Sequence, residues 1–516
     1  MSSLTLSARL EKAKVARSQV HKLHLLVNLE GKKIEGKRKP LALGVAIDLS
    51  TSMSGQKVED AKAGLEKLVD HLTDQDTLTI VAFSSSVWTV LEPTRMGQAE
   101  KDRVKAEIRA MNVISATNLS GATIATYEQV RKAAEKKLKE SVSRALLFTD
   151  GCPTAGDTSM DGLVKIAKGR PEDTNLIAFG YGSDYNAELM TSMAKAGGGE
   201  AYHIKTPDEF GPTLGRVLGG LLTCVAQNVK LTLKMKPDVK ILEVLNDFDV
   251  DANDKKTEAT VTVDDVYSEE KRRVLAEIEL PAMDNSSRPF KYGTAVIEYQ
   301  DLTKQEKVTD EIALEVEYVK ESEADKESDK EVAEQVAALA ASKAQEEALR
   351  LAQQGRFADA KSVLRNAAQD LQDVGTALSC SMADDLNDNA LSLMAPDKFA
   401  NGGAHYLHAN AASYRSGRGQ TMGASKLYAT SMQAKMQADF KKAGSPVSGD
   451  PMSQGSSGSP LAQGGVGSPL AQGGGAGSPY IGIPGGFPGV PGHAGTLPIK
   501  PHVQQPKPLS KKRTRR

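Results

Sequence analysis

Apolar residues cluster first in four short, nearly unbroken runs, at 41–47, 78–83, 145–148 and 175–179. A strand covered on both faces reads this way, whereas a half-exposed strand alternates. Between the runs, Val58, Ala61, Leu65 and Leu68 recur at three or four residues, as do Ile124, Tyr127, Val130 and Ala133. That spacing marks one face of a helix. Alternating strands and helices predict an α/β fold with a doubly wound, mostly parallel sheet over residues 38–224.

The period then changes to two. Val229, Leu231, Leu233 and Met235 alternate with Lys230, Thr232 and Lys234, and similar runs lie at 259–263, 273–280, 293–299 and 312–319. They predict an antiparallel β-sandwich over 225–320. Residues 1–37 form an N-terminal extension whose alternating segment from about 20 adds a strand to it. Over 321–395, Val332, Val336, Ala340, Ala344, Ala348 and Leu351 share a stripe. After Gly355 a second stripe runs through Ala360, Val363, Leu364 and Ala367, so a helical hairpin is predicted, with a third helix through 386–393. Residues 396–516 read as a low-complexity Gly/Ser/Pro-rich basic tail. Gly-Ser-Pro-Leu-Ala-Gln-Gly-Gly occurs at 458–465 and again at 467–474. Such a composition builds no core and is expected to be disordered.

Composition adds constraints. The chain has 516 residues, 40% of them hydrophobic but only 4% aromatic, so its cores are aliphatic. The net charge of −1 hides two unlike parts. Residues 396–516 carry 14 Lys or Arg and three Asp, a net of +11, which leaves −12 on the first 395. No direct nucleic-acid contact is expected from an acidic body. Three cysteines with no Cys-x-x-Cys exclude a disulfide framework and a zinc finger. The polar first 20 residues do not resemble a secretory signal, and no apolar stretch is long enough to predict a membrane span. A reducing, cytoplasmic setting is therefore expected. The terminal Lys511–Arg516 run adds two readings, a nuclear address or an anionic-surface contact.

The chemistry concentrates where the first central strand ends, at Asp48-Leu49-Ser50-Thr51-Ser52. In a doubly wound sheet that carboxyl edge is where ligands bind. Thr117 lies in a loop opening a helix, and Asp150 ends another apolar strand. Asp48, Ser50, Ser52, Thr117 and Asp150 offer two carboxylates and three hydroxyls, with no His or Cys. Hard oxygens with an incomplete protein shell suit Mg²⁺ or Mn²⁺, water completing the octahedron.

Together, D-x-S-x-S, a downstream Thr and a downstream Asp at strand ends resemble the metal-ion-dependent adhesion site (MIDAS) of the von Willebrand factor A (VWA) family. The resemblance covers about residues 38–224. It implies that Ser50, Ser52 and Thr117 contact the metal directly, with Asp48 and Asp150 acting directly or through water. The open position would take an acidic side chain from a partner protein. One departure is Ser115-Ala116 where many members have Gly-Gly. The order of VWA domain, sandwich and helices is similar to bacterial VWA proteins, plant VWA-RING proteins and inter-α-trypsin inhibitor heavy chains. The segment Asp264 to Pro281 carries that likeness, and the RING cysteines are absent.

Other signals are weaker. Asp247, Asp249, Asp251 and Glu258 fall at calcium-loop positions, but Ala252 replaces the required glycine. His405 and His408 lack further zinc ligands nearby. Gly197-Gly198-Gly199 has no phosphate-loop spacing, and Gly-x-Ser-x-Gly is absent. No enzyme activity is expected. The sequence thus points to a metal-dependent protein-binding module, an adhesion or scaffold element. The alternative is a non-catalytic regulatory subunit serving a separate AAA+ ATPase or chelatase-type machine.

Overall fold

The structure is a computed structural model. It describes residues 2–34, 38–135, 141–171, 173–182, 185–204, 207–283, 289–392, 407, 411, 414, 415 and 429–443. In chain order the elements begin with β1 (Leu4–Leu10), β2 (Lys14–Ala16), β3 (His21–Gly31), β4 (Leu41–Asp48) and α1 (Gln56–His71). They continue with β5 (Thr77–Phe83), β6 (Val87–Arg95), α2 (Gln98–Arg109), α3 (Leu119–Glu135), β7 (Val142–Thr149) and α4 (Met160–Lys168). Then come β8 (Thr174–Tyr181), α5 (Ala187–Ala196), β9 (Ala201–Ile204) and α6 (Pro207–Leu221).

These build a sheet of order β6-β5-β4-β7-β8-β9, parallel except for the edge strand β6. Every residue of β4, β5, β7 and β8 is buried, which is why their sequences run apolar without alternation. Side chains of α1, α2 and α6 pack with one face of the sheet, and those of α3, α4 and α5 with the other. The doubly wound α/β prediction therefore holds.

The sandwich uses β10 (Cys224–Met235), β11 (Lys240–Val244), β12 (Asp249–Ala252), β13 (Glu258–Tyr267), β14 (Lys271–Leu280), β15 (Phe290–Asp301) and β16 (Glu306–Val319). One sheet has the order β1-β3-β14-β11 and the other β12-β13-β10-β15-β16-β2. The N-terminal extension thus supplies three strands rather than one. In β1 only Leu4 and Leu6 are buried, and β2 is three residues long, lying parallel to β16. Both are too short or too half-buried to stand out in the sequence. The acidic segment 247–258 is the β12–β13 hairpin. Its strand flanks rule out the helix–loop–helix frame of a calcium hand.

Three helices follow, α7 (Lys330–Gln353), α8 (Phe357–Val374) and α9 (Ala377–Ser392). Asp329 caps α7 by accepting from the Glu331 and Val332 amides at 2.9 and 3.1 Å. Val332 and Leu339 of α7 reach Leu26 and Leu275, covering the outer face of the four-stranded sheet. That second cover explains why Leu25 to Leu29 are all buried although their sequence alternates. No described helix is long and apolar enough to cross a membrane.

The tail starts later than the sequence suggested. Leu407, Ala411 and Tyr414 are buried, Leu407 and Tyr414 in the core of the helical region. Residues 431–443 form a further helix, α10 (Ser431–Ala443). Its start is a capping box: the Thr430 amide donates to Gln433 Oε1 at 3.0 Å, and the Gln433 amide donates to Thr430 Oγ1 at 3.3 Å. It packs on α6 along Gly211, Gly215 and Gly219, spaced by four. A Cβ at these positions would meet Phe440 O at 3.1 Å, Met436 O at 2.6 Å and Gln433 Cα at 2.7 Å. The two helices run antiparallel, backbone against backbone, because α6 has no side chains there. Phe440 completes the seat by stacking on His71, centroids 5.2 Å apart. The repeats at 458–474, the Lys511–Arg516 run, His405 and His408 lie outside the described residues.

A prediction arises here. In a helix interior, Gly→Ala ordinarily stabilises by about 1 kcal/mol. Gly215→Ala is expected to do the reverse, costing about 1–3 kcal/mol, because its Cβ enters the Met436 carbonyl. Hydrogen exchange reads this as lost protection at 431–443; unchanged or increased protection there contradicts the packing.

Candidate metal centre

The five residues singled out from the sequence gather at the carboxyl edge of the parallel sheet. Asp48 is the last residue of β4, and Asp150 follows β7, the neighbouring strand. Ser50 and Ser52 lie on the tight turn leaving β4, where residues 51–53 form one turn of 3-10 helix. Thr117 precedes α3, and two sets of contacts tie its loop to the others. The Ser85 amide donates to Ser115 O and the Asn118 amide to Ser84 O, at 3.2 and 2.7 Å. The Thr117 amide donates to Thr154 Oγ1 at 2.8 Å, and Thr117 O accepts from the Thr154 and Ala155 amides. The loops after β4, β5 and β7 thus converge with the Thr117 loop.

Ala116 shows how the departure from Gly-Gly is accommodated. Its φ is +37°, the left-handed region that glycine fills without strain. An alanine there costs about 1–2 kcal/mol. The loop thus takes its left-handed turn at Ala116 without a glycine, directly before Thr117.

The donors are buried, Ser52 excepted. Asp48 Oδ1 accepts from the Ser50 amide at 2.8 Å and Asp48 Oδ2 from Thr149 Oγ1 at 2.6 Å. The Ser50 and Ser52 hydroxyls lie 3.0 Å apart. Burial pushes the Asp48 carboxyl up to about 6, against the pull of the Thr149 and Ser50 hydrogen bonds, and the negative Asp150 adds to the rise. Asp150 is 2% exposed, yet neither of its carboxylate oxygens takes a hydrogen bond among the described residues. Its ion pair with Lys57 is loose, with Nζ 3.6 Å from Oδ2.

A buried carboxylate without hydrogen bonds is costly unless something else meets its charge. Two carboxylates and three hydroxyls, all hard oxygens, fit Mg²⁺ or Mn²⁺. Among the described residues no group of three or more His, Cys, Asp or Glu gathers as a metal cluster. A hydroxyl-rich set of this kind supplies only two such residues.

Three participants escaped the sequence reading. Thr149 orients Asp48, and its only sequence signal is its place beside Asp150. Ser84, after β5, is buried with a hydroxyl that has no hydrogen-bond partner among the described residues. Lys57 faces Asp150 from another segment, which only the tertiary fold reveals.

Comparison with known proteins identifies the α/β domain. Residues 43–215 match the family model of the von Willebrand factor type A domain. The uncharacterized protein YfbK of Escherichia coli is 30% identical over 196 residues, covering 37% of this chain and 33% of that one. Inter-alpha-trypsin inhibitor heavy chain H4 of Bos taurus is 28% identical over 163 residues, covering 31% of this chain and 18% of that one. The match thus spans a third or less of these relatives. Among solved structures, a von Willebrand factor type A protein from Catenulispora acidiphila superposes with a TM-score of 0.62 at 16% identity. It covers 76% of this chain and 89% of that one, so the shared fold extends beyond the α/β sheet. The ArnB paralog VWA2 from Sulfolobus acidocaldarius gives a TM-score of 0.51 at 17% identity, covering 80% and 98%. Residues 43–215 of this chain are a von Willebrand factor type A domain.

Proposed function

We propose that this VWA domain is a metal-dependent binding module rather than an enzyme, and that it captures an acidic side chain of a partner protein. VWA domains commonly mediate protein–protein interaction. The observation that carries the metal-dependent part is Asp150, a buried carboxylate whose oxygens lack hydrogen bonds among the described residues, beside hydroxyls gathered from two other segments. Asp48, Ser50, Ser52, Thr117 and Asp150 would hold the ion. When bound, Mg²⁺ or Mn²⁺ supplies a Lewis-acidic position that a partner's carboxylate can fill. The chain's own part is to place the donors. Thr149 and the Ser50 amide fix the Asp48 carboxylate, and Thr154 fixes the backbone at Thr117. Bound partners are expected to be intracellular proteins.

The test is affinity purification with and without EDTA, repeated with Thr117→Ala. Both treatments should remove the same partners. An unchanged partner set in both sinks the proposal. A nucleotide-hydrolysing protein among the partners lost would favour a regulatory subunit over a passive scaffold.

A further inference from the structure

Lys57 stands where its own helix disfavours it. It is the second residue of α1, and the positive end of the helix dipole repels a cation in the first turn. Gly55 precedes the helix without a side-chain cap, and the acidic residue of the first turn, Glu59, pairs with Lys62 at 2.9 Å. Among the described residues the ammonium faces Asp150, from the end of β7, with Nζ 3.6 Å from Oδ2. The lysine side chain is largely buried, and the carboxylate almost wholly so. The distance is too long for a hydrogen bond but short enough for strong Coulomb attraction through a partly buried medium.

We propose that Lys57 is a tethered counter-cation that neutralises Asp150 in the metal-free protein and competes with the divalent ion for that carboxylate. This rests on the metal reading of the site given above. A metal bound by Asp150 shares the carboxylate with an ammonium of like sign. Its affinity is therefore lower than the oxygen set alone would give. Lys57 sets the concentration range over which the site fills, and it spares the metal-free fold an uncompensated buried charge.

The experiment is calorimetric titration of the full chain with MnCl₂ and with MgCl₂, for wild type, Lys57→Met, Lys57→Gln and Lys57→Arg. Lys57→Met and Lys57→Gln should bind at least about tenfold more tightly, the scale expected for like charges a few ångströms apart at an effective dielectric near 20. Lys57→Arg keeps the charge and should stay within about threefold of wild type on the same reasoning. Without metal, Lys57→Met should melt below wild type, and saturating Mn²⁺ should close that gap. Equal or weaker binding by folded Lys57→Met and Lys57→Gln, while wild type binds, overturns the inference and leaves the metal reading standing. Absence of binding by all four proteins overturns both.

Discussion

Arg144→Met is expected to destabilise the protein by about 3–5 kcal/mol, because it leaves the Asp265 carboxylate buried without this guanidinium. Arg144 is 0% exposed and lies near the start of β7, at the edge of the sheet away from the metal centre. It pairs with Asp265 of β13, so this ion pair joins the VWA domain to the sandwich. Asn175, at the start of β8, donates to the same carboxylate at 2.9 Å. Around this buried pair lie looser ones, Arg170 with Asp264 and Arg272 with Glu200, both at 3.7 Å. The Arg170 pair, partly exposed on both sides, is the kind that contributes little individually. Removing one partner of the buried pair is costly, whereas removing both charges is close to neutral. Arg144→Met combined with Asp265→Leu should therefore recover most of the loss. Denaturant unfolding of the two single variants and the double variant measures the cycle. A single-variant loss below about 1 kcal/mol would mean that this pair does not hold the two domains together.

The second large effect is on binding. Asp150→Asn is expected to abolish metal binding, or weaken it by about 100-fold or more, the range seen when a site loses even an outer support. The amide keeps the carboxylate's shape but offers the ion no charge. Metal-free stability should change little, since the cost of a buried carboxylate is removed together with its ion pair to Lys57. A variant that loses metal but keeps its fold separates function from architecture, which Asp48 would not do. Asp48 accepts hydrogen bonds from Ser50 and Thr149 that shape the turn itself.

Much of the α/β domain was legible because burial on both faces leaves a plain trace. The segment 41–48 is buried at every position, and its sequence runs apolar until Asp48 breaks it. That break, repeated at Asp150, is what marked the site. Arg144 was less legible: the apolar run begins at Ala145, and nothing local announces that the arginine before it is the most deeply buried cation of a domain junction. Helix α10 was hidden for a different reason. Ser-Met-Gln-Ala-Lys-Met-Gln-Ala-Asp-Phe reads as a polar stretch beside a glycine-rich tail, and its partner is a bare glycine stripe more than 200 residues earlier. Glycines at 211, 215 and 219 look like helix weakeners until a second backbone is laid against them. Lys57 belongs to the same class, since its meaning depends on a carboxylate 93 positions away in the chain.

Asp150, buried without hydrogen bonds among the described residues and met there by the loose Lys57 ion pair, is expected to take a divalent cation. Titration of free Mn²⁺ by electron paramagnetic resonance, on wild type and Asp150→Asn in parallel, tests it most directly. One Mn²⁺ is expected per wild-type chain, displaced by Mg²⁺, with none bound by folded Asp150→Asn. Equal Mn²⁺ binding by the two proteins, or none by wild type, would contradict it.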